Sequence, residues 1–383
     1  MQVSRLKLQN WRNFTRADVP LTDRMFIVGP NACGKSNFLD VFRFLRDLAR
    51  PGGGIQSALA QRGGLSKVRS LSARKDPRVQ IDVTLSSDNG REVEWRYALA
   101  LRQEQRGYRR TLVDFERVWK NGQKILDRPE KDDKSDVERL TQSHLEQINS
   151  NQAFRPVAKF FEATLYLHLV PQLVRNPEAF SGPGVPSGDP FGRNFLERVA
   201  RTQKNIRRSR LLRIEKALRA AVPQLRNLTD VVDEAGVPHL EATYEHWRPR
   251  AGKQREDQFS DGTLRLVGLL WALLETAPLV LIEEPELSLN AGIVRQLPSV
   301  MKRLQRLAAK QILVSTHSFD LLTDRAVGAD EVLVLTPSDE GTAVEVADSI
   351  REVWELLNGG LSLADALQPR MTSRYVDQLQ LAL

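Results

Sequence analysis

Two stretches of this sequence carry residue types suited to phosphate chemistry. The first is "GPNACGKS", Gly29 to Ser36, which has the spacing G-x-x-x-x-G-K-[ST]. Gly29 and Gly34 let the backbone wrap close to phosphate oxygens. The amides of Gly34, Lys35 and Ser36 would open a helix, where the dipole favours anions. Lys35 would reach the β- and γ-phosphates, and the Ser36 hydroxyl would ligate Mg2+. Cys33 occupies a variable position and is expected to be a bystander. The second stretch is "APLVLIEEPELSLN", Ala277 to Asn290, where an apolar run stops at two adjacent carboxylates, Glu283 and Glu284. Neighbouring carboxylates repel and are costly to desolvate, and a bound metal would compensate them. Successive strand residues point to opposite sides. Glu283 and Glu284 would then face different ways and could take distinct jobs.

These residues need elements to hold them. The apolar "FIV" before Gly29 reads as a buried strand. The segment after Ser36 reads as an amphipathic helix with Phe38, Leu39, Val41, Phe42 and Leu45 on its apolar face, ended by Pro51 to Gly54. "VSRLKLQNW" alternates and reads as a strand. "RVQIDVTLSS", "EVEWRYALALR" and "TLVDFERVWKNGQKIL" read as an antiparallel meander with hairpin turns at "DNG" and "KNG". Arg128 to Ser150 is polar and expected to be helical. "ATLYLHLVPQLVRNP" returns to strand and loop, and "FSGPGVPSGDPFG" is expected to be a mobile loop or a boundary. "LTDVVDEAGVPHLEATYE" is a short β section. "DQFSDGTLRLVGLLWALLE", "PLVLIEEP", a polar helix and "QILVSTHS" continue an α/β pattern, and "EVLVLTP" with "TAVEVAD" forms a final strand pair. The expected segments are 1–127 with the phosphate loop and meander, 128–250 as a helical, basic insertion, 251–345 as a second motif-bearing lobe, and 346–383 as a helical tail.

Composition excludes several classes. A single cysteine rules out an internal disulfide framework and any zinc site built from several cysteines. Five scattered histidines form no HExxH pattern. Charges interrupt the N-terminus before any signal-like apolar run forms. Leu264 to Ile282 is very apolar, but Arg265, Glu275 and Pro278 fall within it, so a buried helix and strand are expected rather than a membrane span. The expected location is cytoplasmic. The net charge is +8, and Arg201 to Arg219 holds eight basic residues against one acidic. With smaller clusters at 67–78, 106–110 and 248–255, this predicts nucleic-acid contact, with Arg207, Arg208 and Arg210 as the residues to neutralise.

Three further segments sharpen the class. "FSDGTLRL" puts Ser, Asp, Gly and Thr before an apolar helix, "LVLIEEPE" follows, and "ILVSTHS" is another apolar strand. Their order and spacing resemble the ATP-binding-cassette superfamily, in its soluble RecF/SMC-like branch. Within it, "EEPELSLN" and "STHSFDLL" look like the ATPase domain of the overcoming-lysogenization-defect (OLD) family and related AAA-type ATPases. The fold so implied is α/β: an ABC-type ATPase head with a mixed sheet around the phosphate loop, an antiparallel β lobe and a helical insertion. The implied ligands are ATP and Mg2+. Loop residues Gly29, Pro30, Asn31, Ala32, Cys33, Gly34, Lys35, Ser36 and Asn37 would bind nucleotide, with Arg12 and Asn13 reaching it from the N-terminal strand. Ser260, Asp261, Gly262 and Thr263 correspond to the signature motif, which in such proteins meets the γ-phosphate held by a second subunit. Glu283 falls where Walker B usually has Asp, Glu284 at the general base, His317 at the switch histidine, and Gln172 at the Q-loop glutamine near Mg2+. Asn290 stands near the D-loop, where Asp or His is common.

The resemblance implies Mg2+-dependent ATP hydrolysis in a homodimer or higher homo-oligomer closed around ATP. It suggests a DNA-associated switch in genome maintenance or in defence against phage or plasmids. Alternatives are an ATP-gated scaffold with little turnover and, less well matched by the insertions, a transport ATPase subunit. OLD nucleases continue into a nuclease domain for which this chain has no room, so a separate effector, such as a nuclease, is expected on a partner. No membrane partner is expected. The segment "IREVWELLNGGLSLADAL" reads either as a docking element or as a packed terminal helix.

Overall fold

The structure, a computed structural model, describes residues 1–73, 76–87, 92–104, 109–177, 191–245, 252–307 and 309–372. In chain order its strands are β1 (Gln2–Trp11), β2 (Phe14–Pro20), β3 (Arg24–Val28), β4 (Val79–Ser86), β5 (Val93–Gln103), β6 (Thr111–Lys120), β7 (Gln123–Arg128), β8 (Leu165–Leu167), β9 (Leu225–Val232), β10 (Pro238–Tyr244), β11 (Lys253–Arg255), β12 (Leu279–Glu283), β13 (Gln311–Ser315), β14 (Val332–Ser338) and β15 (Gly341–Val346). The chain divides into two compact units. One is drawn from Met1–Leu165, Ala277–Leu281 and Ala309–Leu383, the other from Tyr166–Thr276 and Ile282–Ala308.

In the first unit the expected meander is present. It forms an antiparallel sheet of order β2-β1-β4-β5-β6-β7. Its register puts Leu6 opposite Val83 and Leu8 opposite Ile81, all four buried. The "KNG" turn works as its residue types require: Asn121 and Gly122 have φ of 48° and 81°, the left-handed values of a two-residue hairpin. The "DNG" turn lies outside the described residues.

The phosphate-loop strand belongs to a mixed sheet of order β15-β14-β3-β13-β12-β8. β3 runs parallel to both β13 and β14, and β15 closes the edge antiparallel to β14. The helix Lys35–Ala49 buries all five apolar residues expected of it, with Phe44 and Leu48 beside them. Aromatic contacts dock it: Phe14 lies 6.1 Å from Phe38, and Trp11 5.3 Å from Phe44. A buried Gln311 side chain pairs with Val3 as a peptide would, donating to its carbonyl at 2.7 Å and accepting from its amide at 2.8 Å. It thereby joins the two sheets of this unit.

Residues 128–150, expected to be helical, are so only in part. They form a short helix, Lys131–Ser135, one 3₁₀ turn, Val137–Thr141, and further turns. The cause is Arg128, whose buried guanidinium bonds the carbonyls of Arg139 and Gln142 and pulls the chain around itself.

In the second unit, β11-β10-β9 form a small antiparallel sheet. The basic stretch is helical over Lys204–Leu218, burying Leu211, Ile214 and Leu218. The apolar run near residue 270 is the helix Asp261–Leu274, buried along most of its length, and β12 follows it. Among the described residues no helix is long and apolar enough to cross a membrane. Most of "FSGPGVPSGDPFG" and parts of the smaller basic clusters lie outside the described residues.

Candidate functional site

The phosphate loop leaves β3 with Gly29 at φ 149°, Ala32 at 61° and Gly34 at 103°. Lys35 is buried, and its ammonium donates to the carbonyls of Gly29 at 2.8 Å and Pro30 at 2.9 Å. Gly34 stands at the N-cap without a capping side chain. This end of the helix therefore presents backbone donors and a positive dipole. Such a set of glycines, amides and one ammonium fits a polyphosphate. The Ser36 hydroxyl, exposed at the first turn, is a hard oxygen of the kind Mg2+ takes. Cys33 is buried, and burial pushes its thiol pKa up.

The glycines are required by their neighbours. A methyl group at Gly29 would meet the Leu335 carbonyl oxygen at 2.5 Å, and one at Gly34 would lie 2.1 Å from Asn13 Nδ2. Asn13 clamps the loop. Its amide donates to the Cys33 carbonyl and to Thr342 Oγ1, each at 2.6 Å, and it accepts from Asn37 Nδ2 at 2.9 Å. Thr342 Oγ1 in turn donates to the Cys33 carbonyl at 2.9 Å. Arg12 is placed differently, against Asp40 at 3.0 Å. Burial pulls the Asp40 pKa up, but Arg62, Arg43 and Arg12 outweigh it and hold the carboxyl below its usual range. We expect Asn13→Ala, which removes three part-buried hydrogen bonds, to weaken ATP binding about tenfold with the fold retained. Titration with a fluorescent ATP analogue checks this.

β13 brings the second motif of this unit into place. Ser315 is opposite Ile27 in the parallel pair, so His317 leaves the sheet at the same end as Gly29. Ligands of open α/β sheets bind at this carboxyl end. Thr316 continues the pairing with an amide bond to the Ile27 carbonyl at 3.1 Å, and its hydroxyl accepts from the Ser318 amide at 2.9 Å. The half-buried His317 is held between those anchors.

In the second unit, Ser260 caps the helix Asp261–Leu274, accepting from the Thr263 amide at 3.2 Å. Asp261 is engaged by Arg175 at 2.6 Å and by Gln172 at 3.2 Å. Gly262 sits so close to the chain after Glu284 that an added methyl would meet the Ser288 carbonyl oxygen at 2.5 Å. Asn290 caps the following short helix through the Gly292 amide.

The twin glutamates depart from strand geometry. β12 ends at Glu283, and Glu284 has φ 46°, in the left-handed region. A turn, not the strand pleat, therefore sets the direction of Glu284, and the expected alternation does not apply to it. A non-glycine residue there costs of order 1 kcal/mol or more. Glu283 accepts a hydrogen bond from the Tyr166 hydroxyl. Glu284 lies in the field of Arg265, a half-buried arginine on the helix Asp261–Leu274. Burial lowers the Arg265 pKa, while Asp261 and Glu284 act to raise it. Thr342, Tyr166, Arg175 and Arg265 were not among the residues expected from sequence, and no local motif marks them.

Solved structures of Smc heads share this α/β fold. One is the SmcHead bound to the C-winged helix domain of ScpA: 14% identity, covering 96% of this chain and 100% of that chain, with a TM-score of 0.54. Two others are Smc heads with coiled-coil segments, from Pyrococcus furiosus bound to the C-terminal domain of ScpA and from Pyrococcus yayanosii. Each has a TM-score of 0.50, at 13% and 12% identity, covering 96% of this chain and 98% of the other. No curated protein matches the sequence. Residues 24–324 match the family described as "AAA domain, putative AbiEii toxin, Type IV TA system", and the chain belongs to that family.

Proposed function

We propose that this AAA-family ATPase domain is a Mg2+-dependent ATP switch, hydrolysing ATP in a homodimer closed around the nucleotide. The observation that carries the reading is the phosphate loop: a buried Lys35 inside a glycine-framed helix N-terminus, clamped by Asn13 and Thr342. Lys35 and the loop amides would hold the β- and γ-phosphates, with Ser36 and Glu283 on the metal side. Bound Mg2+ would neutralise charge on the transferring phosphoryl group. Glu284 would orient water and accept its proton, and His317 would sense the γ-phosphate. Ser260 to Thr263 would meet the phosphate of a second subunit. The signature, Q-loop and Walker B roles rest on the family resemblance, including its OLD-related motifs.

A DNA-associated role, with defence or genome maintenance as its setting, is supported by the charge on the basic helix and by the family's description. A separate effector protein is supported by the Smc heads solved with ScpA. The structure changes which arginines should touch DNA. Arg207 pairs with Asp230 at 2.8 Å, and Arg210 lies over the Trp271 ring. Lys204, Arg208, Arg213 and Lys216 are exposed, and among the described residues no ion pair engages them. Replacing these four with Gln is expected to weaken DNA binding and to reduce the slope of log K against log salt by about 3 to 4. Unchanged binding and slope would remove DNA from this face. The scaffold reading has one observation in its favour, the Glu at position 283 where the family usually has Asp. ATP-driven dimerisation without turnover would select it.

A further inference from the structure

Glu283 raises a problem that the family roles leave open. A glutamate has one more torsion than an aspartate, so its carboxylate samples more positions from the same backbone site. In this protein the neighbouring strand reaches that carboxylate. Tyr166 is the middle residue of β8, which lies beside β12 in the sheet, and its hydroxyl donates to Glu283 Oε2. Tyr166 is buried, at 6% exposure.

The chain that carries Tyr166 is itself fixed. Three residues on, Leu169 lies against the signature helix so tightly that a methyl group at Gly268 would sit 2.2 Å from its Cδ1. The Val170 amide donates to the Phe191 carbonyl at 3.0 Å. The next turn, Pro171–Arg175, delivers Gln172 and Arg175 to Asp261, and Arg175 also donates to the Phe259 carbonyl at 2.6 Å. Residues 166–175 thus run from the Glu283 carboxylate to the signature turn, with anchors at both ends and in the middle.

We propose that Tyr166 is a positioning residue for the metal-side carboxylate: its hydroxyl holds Glu283 in one rotamer and offsets the extra methylene. This rests on the reading of Glu283 as the Mg2+-side carboxylate. A phenol–carboxylate hydrogen bond is charge-assisted and directional, and a support of this kind fixes how a carboxylate is presented to a hydrated metal.

The test is nucleotide binding as a function of Mg2+, with a fluorescent ATP analogue and no dependence on turnover. Tyr166→Phe keeps the ring and removes the donor. It is expected to raise the Mg2+ concentration for half-maximal binding roughly tenfold, the usual effect of losing such a support. Metal-free nucleotide affinity should stay as in the wild type, and the thermal midpoint of the ligand-free protein should fall by no more than one lost hydrogen bond accounts for. In a Glu283→Asp background, where the shorter carboxylate needs no tether, the same Tyr166→Phe change should have no further effect. A tenfold loss in both backgrounds would make the tyrosine a general packing residue and overturn the proposal. An unchanged Mg2+ dependence in Tyr166→Phe, with a weakened one in Glu283→Gln, would overturn the proposal and leave the metal role of Glu283 standing. An unchanged dependence in Glu283→Gln would remove that role, and the proposal with it.

Discussion

Glu284→Gln is expected to lower ATP turnover by about 10²–10⁴-fold while ATP still binds. The substitution keeps the shape of the side chain and removes its ability to take a proton. Shape matters here, because Glu284 sits in a left-handed turn, and a residue of different bulk could shift that turn. The charge matters too, because Glu284 partly compensates the half-buried Arg265. A neutral amide would weaken that compensation without emptying the space. If ATP closes two heads together, slowed hydrolysis should accumulate the closed state, and the ATP-bound mass should double relative to the nucleotide-free chain. Light scattering and a phosphate-release assay on the same samples check both arms. A variant that hydrolyses ATP at the wild-type rate would remove Glu284 as the general base. A monomeric variant at saturating ATP, with turnover lost, would keep the base and remove the dimer.

The parts legible from sequence were those whose physics is local. A phosphate loop needs eight consecutive residues and a helix start, and both are written in one stretch. Apolar periodicity placed the helix after Ser36, and alternation placed the meander. The parts that were not legible depend on partners far along the chain. Thr342 reaches the loop from 329 residues beyond Asn13, and Tyr166 reaches Glu283 across 117. The pleat rule misled at Glu284 because the strand ends one residue earlier. Charge counting found the basic helix, but it could not tell Arg208, which faces solvent, from Arg207 and Arg210, which are spent on Asp230 and Trp271. Polarity led only part of the way at 128–150, where short helical turns form but a buried ion network decides the path of the chain.

That network gives the largest expected effect on stability. Arg128→Met should destabilise the first unit by about 3–5 kcal/mol, the usual loss when one partner leaves a buried ion pair. All five guanidinium hydrogens of Arg128 are used. Nε and Nη2 donate to Asp133 at 2.9 and 3.0 Å, Nη1 to Glu116 at 3.0 Å, and the remaining two hydrogens to the carbonyls of Gln142 and Arg139. Arg128, Glu116 and Asp133 have fully buried side chains. Glu116 also accepts from the Tyr97 hydroxyl and from the amides of His144 and Leu145. Methionine would fill much of the volume and leave two buried carboxylates without their shared cation. Lysine should not rescue, because one ammonium cannot reproduce the planar fork. Burial alone would raise the Asp133 pKa, but hydrogen bonds from Arg128 and the Glu130 amide outweigh it and hold the carboxyl far below its usual range. A depressed carboxylate pKa adds stability above about pH 4 and loses it as pH falls. The gap between wild type and Arg128→Met should therefore be full at neutral pH and narrow in acid. Urea unfolding at several pH values measures it, with Arg117→Ala as the control. That arginine pairs with Asp127 at the surface, both about half exposed, and its loss should cost under about 1 kcal/mol. An Arg128→Met variant as stable as that control would mean the network is replaceable by packing alone.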